Sequence, residues 1–168
     1  MEASGTTSWT GANSTLAKDT DVADVPPYGG SQSLSIVTTA ANGYAQSANI
    51  RVESSSSYTV WADLRARGAF TARMRVWDVT NAAALGSDQD WDDDDWGTLT
   101  SSFTTAATTD NIGIRLIGVE NSATIHADNV IVVKQGGYLY GLPSWLLERT
   151  WVTDVLALPG DRPSHKSP

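Results

Sequence analysis

Short segments of alternating apolar and polar residues are the feature that most restricts how this chain folds. Ser, Thr, Gly and Asn interrupt the sequence about every ten residues, and the segments between them have the period of two typical of half-buried β-strands. No stretch shows the period of an amphipathic helix. We expect strands at 15–20, 33–38, 44–52, 58–67, 72–79, 98–103, 111–119 and 124–134. This pattern predicts an all-β fold, an antiparallel two-sheet jelly-roll β-sandwich.

A change of character near the C-terminus divides the chain. The length of 168 residues fits one domain with a short appendage. After Gly136 and Gly137, residues 138–158 are rich in aromatic side chains and leucine, and residues 161–168 are polar. We expect a sandwich domain over 1–136 and a C-terminal extended arm over 137–168. The arm either packs back on the sandwich, docks onto another subunit or leads into a further domain.

Charge and composition exclude several classes of function. The net charge of −8 disfavours binding to nucleic acid. No apolar run approaches the roughly 18 residues of a membrane span. The chain has no cysteine, which rules out disulfides and thiolate chemistry. Residues 1–5 have neither a basic nor an apolar segment, so we expect no signal peptide in this chain.

Two central strands have faces that can be read from the sequence. In the strand at 58–67, Tyr58, Val60, Ala62 and Leu64 form a core face, which places Trp61, Asp63 and Arg65 on the other side. In the strand at 72–79, Met74 and Val76 point inward and Arg73, Arg75 and Trp77 point outward. Both strands therefore present tryptophan and arginine away from the core.

A hairpin through 68–70 would join the two outward sets into one patch. In that register Trp61 faces Trp77, Asp63 faces Arg75 and Arg65 faces Arg73. Indole rings stack on sugar rings, and Arg and Asp bind hydroxyl groups, so the patch favours a glycan. The predicted ligand-binding residues are Trp61, Trp77, Asp63, Arg65, Arg75 and Arg115, the last pointing outward from the strand at 111–119.

Two alternatives apply to this patch. The tryptophans could instead cover the sandwich or an adjoining loop. The like-charged pair of Arg65 and Arg73 needs an anion between them, which an acidic glycan would supply. A neighbouring carboxylate, from Asp63 or from a loop, would neutralise the two arginines equally well.

The order of several motifs resembles that of carbohydrate-binding modules in the galactose-binding-like jelly-roll superfamily. The resemblance covers residues 2 to about 134. It rests on Glu2, Trp9, Gly30-Ser31-Gln32-Ser33-Leu34, Gly43-Tyr44, 58–62, Trp96, Ser102-Phe103-Thr104-Thr105, Ile114-Arg115-Leu116 and Ala127-Asp128-Asn129-Val130. Similar modules occur in polysaccharide-degrading enzymes and as accessory domains of phage virion and tail proteins.

The resemblance implies a structural calcium ion, a packing role for Trp9 and Trp96, and an extracellular or virion location. The calcium would be held by Glu2 and Asp128, whose oxygen atoms suit a hard cation. Asn129 stands where such modules more often carry Asp, which removes one ligand charge. No other cofactor is implied.

The acidic run 88–95 and the histidines are the remaining candidates for chemistry. Asp93 and Leu99 occupy the positions where a helix-loop-helix calcium site needs Gly and Glu, so we interpret the run as a solvated loop, with weak cation binding as the alternative. His126 lies within an apolar strand and His165 within the polar tail, and no catalytic triad can be assembled. Among the four glutamates, Glu2, Glu53, Glu120 and Glu148, no catalytic pair stands out.

These observations predict a non-catalytic module that binds a neutral or acidic glycan and serves adhesion within a phage virion or another extracellular assembly. The arm over 137–168 would contact other subunits or domains. The alternative is a structural module that decorates or cements a virion or filament and has no ligand. A glycoside hydrolase or lyase is the least favoured hypothesis, because no acid and base residues are paired.

Overall fold

The structure is a computed structural model that describes residues 6, 8–27 and 30–135. The arm predicted for 137–168 and the predicted calcium ligand Glu2 lie outside these residues.

Eleven strands and one short 3₁₀ turn make up the described part of the chain. The turn, Val22–Asp24, follows the second strand. The strands are β1 (Trp9–Ala12), β2 (Ser14–Asp19), β3 (Ser33–Thr38), β4 (Gly43–Ser47), β5 (Ile50–Arg51), β6 (Ser57–Ala66), β7 (Ala72–Asp78), β8 (Ala83–Trp91), β9 (Gly97–Thr104), β10 (Asn111–Gly118) and β11 (Thr124–Lys134).

The strands form two antiparallel sheets packed face to face. The six-stranded sheet has the order β1-β4-β10-β7-β8, with β5 also paired to β10, and the five-stranded sheet has the order β2-β3-β11-β6-β9. Every strand pair is antiparallel. The predicted all-β jelly-roll sandwich is confirmed. No helix within the described ranges is long and apolar enough to span a membrane.

The core lies between the sheets and is built from the side chains that alternate inward along each strand. The predicted core face of β6 is confirmed, since Tyr58, Val60, Ala62 and Leu64 are all buried. Met74 and Val76 of β7 and three apolar residues of β10 are buried against them: Ile112, Ile114 and Leu116. Full burial of each large aliphatic side chain contributes about 1.5 to 3 kcal/mol.

The predicted hairpin between β6 and β7 is wrong, because these strands belong to different sheets. β6 pairs with β9 and β11, and β7 pairs with β8 and β10. The link over 67–71 carries the chain from one sheet to the other, with Gly68 in the left-handed region at φ +72°. Both strands direct their apolar side chains into the same core from opposite sides. The outward sets of the two strands therefore lie on opposite outer faces of the sandwich.

The acidic run predicted as a loop is in part a strand. Residues 88–91 belong to β8, which pairs with β7 through Arg73 opposite Asp90 and Met74 opposite Gln89. The remaining aspartates, 92–95, are exposed in the connection to β9. A register shift in β8 between the partners of Met74 and Val76 brings Asp88 against Arg75. The solvated-loop interpretation holds only for 92–95.

Candidate functional site

An arginine between two aromatic rings occupies the outer face of the six-stranded sheet. The guanidinium carbon of Arg115 lies 3.6 Å from the ring centre of Trp77 and 4.5 Å from that of Tyr44. Both distances are within the range of cation–π attraction. Nε of Arg115 donates a hydrogen bond to Oε1 of Gln46 at 2.8 Å. We call Tyr44, Gln46, Arg75, Trp77 and Arg115 the Arg115 patch.

The alternation of three neighbouring strands places these side chains together. Arg115 on β10 lies directly opposite Arg75 on β7 and Gln46 on β4. Trp77 lies opposite Gly113, and a Cβ at that glycine would be 3.0 Å from Cγ of Gln46. The absence of a side chain at position 113 thus gives the Gln46 side chain the space it occupies. Burial lowers the pKa of Arg115, which the nearby Arg75 charge lowers further.

Two other arginines on this face are paired with aspartates of β8. Nε and Nη2 of Arg75 donate to Asp88 at 2.8 and 2.6 Å, and the same atoms of Arg73 donate to Asp90 at 2.6 and 2.8 Å. These two-point hydrogen bonds lower the pKa of both carboxyl groups and raise the pKa of both arginines. The pairs fix the side chain of Arg75 within the patch and that of Arg73 beside it.

The structure divides the predicted site between two outer faces. Trp77, Arg75 and Arg115 lie together on the six-stranded sheet. Trp61, Asp63 and Arg65 lie on β6 in the five-stranded sheet. The predicted meeting of Trp61 with Trp77 and of Arg65 with Arg73 does not occur, because the link over 67–71 crosses between the sheets. A ligand-binding role for these residues stays a prediction.

Side chains of the five-stranded sheet make extensive contacts within the protein. Asp63 is buried and accepts hydrogen bonds from Thr98 Oγ1 and, at 2.7 Å, from Asn129 Nδ2. Arg65 forms ion pairs with Asp24 at 3.0 Å and with Asp94 at 3.1 Å, and its side chain is only 14% exposed. Loop carboxylates therefore neutralise Arg65. The sequence analysis gave this as the alternative to an acidic glycan. Arg65 fastens the Val22–Asp24 turn and the 92–95 loop onto this sheet.

Asp19, Asp24 and His126 form a further group of polar side chains beneath the Val22–Asp24 turn. Their potential ligand atoms lie within 4.8 Å of one another, which the sequence did not predict. His126 is 2% exposed, and burial lowers its pKa despite the opposing effect of the two aspartates. Asp24 already pairs with Arg65 and Arg67, so a divalent cation here would face two guanidinium groups.

The predicted calcium ligand Asp128 borders a cavity of about 250 Å³ that residues of β1, β2, β3 and β11 line. Ser33 and Gln32 also line the cavity, and Oγ of Ser33 is buried without a hydrogen-bond partner. Among the described residues Asp128 provides the only carboxylate of the lining. Oxygen donors of this kind match the preference of Ca²⁺.

Comparison with solved structures shows the same architecture in known proteins. The CBM22-1 xylan-binding domain of Xyn10C from Paenibacillus barcinonensis is 13% identical, with a TM-score of 0.62 over 79% of this chain and 89% of that chain. This chain has the fold of a carbohydrate-binding module. The sequence matches no protein-family model, and no curated protein matches it.

Two longer proteins contain the carbohydrate-binding-module-like fold as one part. The CBM22-1–GH10 modules of Clostridium thermocellum Xyn10B, crystallised with xylohexaose, are 12% identical with a TM-score of 0.61. The match covers 79% of this chain and 27% of that one. The enzymatically active domain of bacteriophage CBA120 tailspike protein 4 is 14% identical with a TM-score of 0.54, over 76% of this chain and 19% of that one.

The sequence did not predict a ligand-binding role for Tyr44 and Gln46, which are members of the Arg115 patch. They alternate outward along β4 while Gly43 and Ala45 point inward. The inward residues of this strand are so small that its buried face has no clear hydrophobic pattern. The sequence offered two signals, the Gly43-Tyr44 motif of the resemblance and the period of two that starts at Tyr44 within a predicted strand.

Proposed function

We propose that the protein binds a glycan through the Arg115 patch and does so without catalysing a reaction. The observation that carries this proposal is the placement of Tyr44 and Trp77 on one outer face with Arg115 between them. The exposed parts of the rings offer apolar area to the C–H face of a sugar. Gln46 and Arg115 offer hydrogen bonds to its hydroxyl groups. The carbohydrate-binding-module-like fold supports the same function.

The carboxylates next to the patch are poorly suited to catalysis. Each oxygen of Asp88 and Asp90 accepts a hydrogen bond from an arginine, and both groups have a lowered pKa. A glycosidase needs one carboxylic acid that holds its proton near neutral pH. Ionised aspartates fixed in ion pairs do not provide that proton, which favours a binding module over an enzyme.

We also propose that the module belongs to a larger extracellular or virion assembly. Its carbohydrate-binding-module-like fold occurs within longer chains, including the tailspike protein. A shallow site on a sheet face binds weakly, and several copies in one assembly would raise the avidity. The aromatic and leucine-rich arm over 137–168 is proposed as the contact to neighbouring subunits or domains.

Replacement of Tyr44 by alanine tests the proposed glycan site. The change removes one of the two rings, and we expect the dissociation constant for a bound oligosaccharide to rise about fivefold, or about 1 kcal/mol. Titration calorimetry with a panel that includes xylohexaose measures it, with Thr59→Ala on the outer face of the five-stranded sheet as control. Failure of the wild-type protein to bind any glycan on a broad array would contradict the proposal.

A calcium ion at Asp128 is a separate proposal. The cavity that Asp128 and Ser33 border has oxygen donors of the right type, and Glu2 is proposed as a second carboxylate ligand. Calcium at 100 times its dissociation constant would add about 2.7 kcal/mol to stability, which raises Tm by about 10 °C. Thermal unfolding with Ca²⁺ and with a chelator measures this difference.

Two variants separate calcium binding from a general charge effect. Asp128→Asn is expected to lose the Tm response to Ca²⁺. Asp110→Asn removes the same charge from an exposed loop elsewhere and is expected to keep the response. Equal Tm values for the wild-type protein in Ca²⁺ and in chelator would rule the ion out.

A further inference from the structure

The arginines of the six-stranded sheet differ in one respect that bears on the ligand. Arg73 and Arg75 each share two hydrogen bonds with an aspartate. Arg115 is partnered instead by a neutral amide, since its Nε donates to Gln46. No carboxylate in the described part of the chain lies within ion-pairing distance of Arg115. It is thus a half-buried positive charge without a negative counterpart.

The surroundings of Arg115 restrict where an anion can approach. Trp77 and Tyr44 cover the guanidinium group, and Gln46 occupies its Nε edge. The N–H groups of the two terminal nitrogens donate no hydrogen bond within the described residues. Two parallel N–H groups on one edge of a planar group match the two oxygens of a carboxylate.

The charged residues at the outward strand positions of this sheet also favour an anionic ligand. Arg51 lies opposite Asn111 and so shares this face with Arg115. The outward positions of the sheet's strands carry four arginines, Arg51, Arg73, Arg75 and Arg115, against two aspartates, Asp88 and Asp90, an excess of two positive charges. The nearby carboxylate of Glu120 offsets part of this excess at Arg73. The excess occurs in a chain whose net charge is −8. A local positive field attracts an anionic ligand to this face.

We propose that the ligand is a uronic-acid-containing glycan whose carboxylate is bound by the terminal nitrogens of Arg115. This inference rests on the proposed glycan-binding function of the Arg115 patch and names the class of sugar. Burial lowers the pKa of Arg115, because it disfavours the charged guanidinium group. A bound carboxylate would stabilise that charge. Arg75, directly opposite, adds positive potential while its own hydrogen bonds are taken by Asp88.

The test compares uronic acid oligosaccharides with the same oligosaccharides after reduction of their carboxyl groups to hydroxymethyl groups. The wild-type protein is expected to bind the acidic form at least about tenfold more tightly, and the difference is expected to shrink at high salt. Arg115→Met keeps an unbranched side chain between the rings and removes the charge. It should bind both forms with the affinity that the wild-type protein has for the reduced form.

A charge-neutral double variant is the matched control. Arg73→Gln together with Asp90→Asn removes an ion pair from the same face without changing its net charge, and the preference for the acidic form should persist. Equal binding of acidic and reduced forms by the wild-type protein would overturn the inference and leave glycan binding intact. Binding of neither form by a folded protein would overturn both proposals. Tighter binding of sulfated oligosaccharides than of uronic acids would overturn the assignment to a carboxylate.

Discussion

Replacement of Trp77 by alanine is expected to weaken glycan binding by about 30-fold or more. Trp77 provides the larger of the two rings, and its removal also exposes one face of the Arg115 guanidinium group. Aromatic anchors at the centre of a binding surface commonly contribute about 2 kcal/mol or more, which is about a 30-fold change in dissociation constant. Titration of the variant with any glycan that the wild-type protein binds measures the effect.

Trp61→Ala is the control for this experiment. It makes the same chemical change on the outer face of the other sheet, and the dissociation constant should stay at its wild-type value. Thermal unfolding of both variants shows whether each remains folded. If Trp61→Ala abolishes binding and Trp77→Ala does not, the site lies on the five-stranded sheet and the proposed location is wrong.

Replacement of Asp78 by alanine is expected to destabilise the protein by about 3 kcal/mol. Asp78 is 1% exposed and accepts hydrogen bonds from Thr109 Oγ1 at 2.5 Å, from the Asn81 backbone N–H at 2.9 Å and from Asn81 Nδ2 at 2.8 Å. It thereby ties the β7–β8 turn to the loop before β10. Loss of this acceptor leaves the buried Thr109 hydroxyl and two part-buried donors of Asn81 without this partner. Denaturant unfolding measures the change, and the neighbouring Thr108→Ala, at an exposed hydrogen bond, should cost less than about 0.5 kcal/mol.

The same carboxylate makes stability depend on pH in the acid range. Burial alone would raise the pKa of Asp78, but the hydrogen bonds from Asn81 and Thr109 outweigh it and hold the pKa below its ordinary value of 3.8. The charged form is therefore the one that the fold stabilises. Its contribution is present above about pH 4 and disappears as the pH falls through the lowered value. Asp78→Asn should show a smaller loss of stability over that range, and an unchanged slope would contradict this account.

Residue alternation predicted the faces of the strands correctly but could not identify which strands pair. The inward and outward sets of β6, β7 and β10 follow from the period of two, because a misplaced face would expose large apolar side chains. Whether 67–71 forms a hairpin or a crossing between sheets depends on contacts far away in the chain. β6 finds its partners in β9 and β11, which lie at least 30 residues later.

A second limit concerns strands with few apolar residues. β8 escaped prediction because its inward side carries little hydrophobic area, and its aspartates are typical of loops. The sequence did contain a signal, since Asp88 and Asp90 have the same spacing as their partners Arg73 and Arg75. When one segment carries positive charges at every second residue and the next segment carries negative charges at the same spacing, the two segments are expected to pair as a hairpin. That comparison would have placed β8 next to β7 and given Arg73 a carboxylate partner.

The contacts of Arg115 with Tyr44, Gln46 and Trp77 reduce the entropy that this side chain loses when a ligand binds. A free arginine side chain on a surface samples many rotamers, and freezing it during association costs about 1 kcal/mol or more. In this protein the ordering has already taken place during folding, because two rings and a side-chain amide immobilise the guanidinium group. An incoming molecule meets a donor that needs no rearrangement, so a small contact area can still produce measurable affinity.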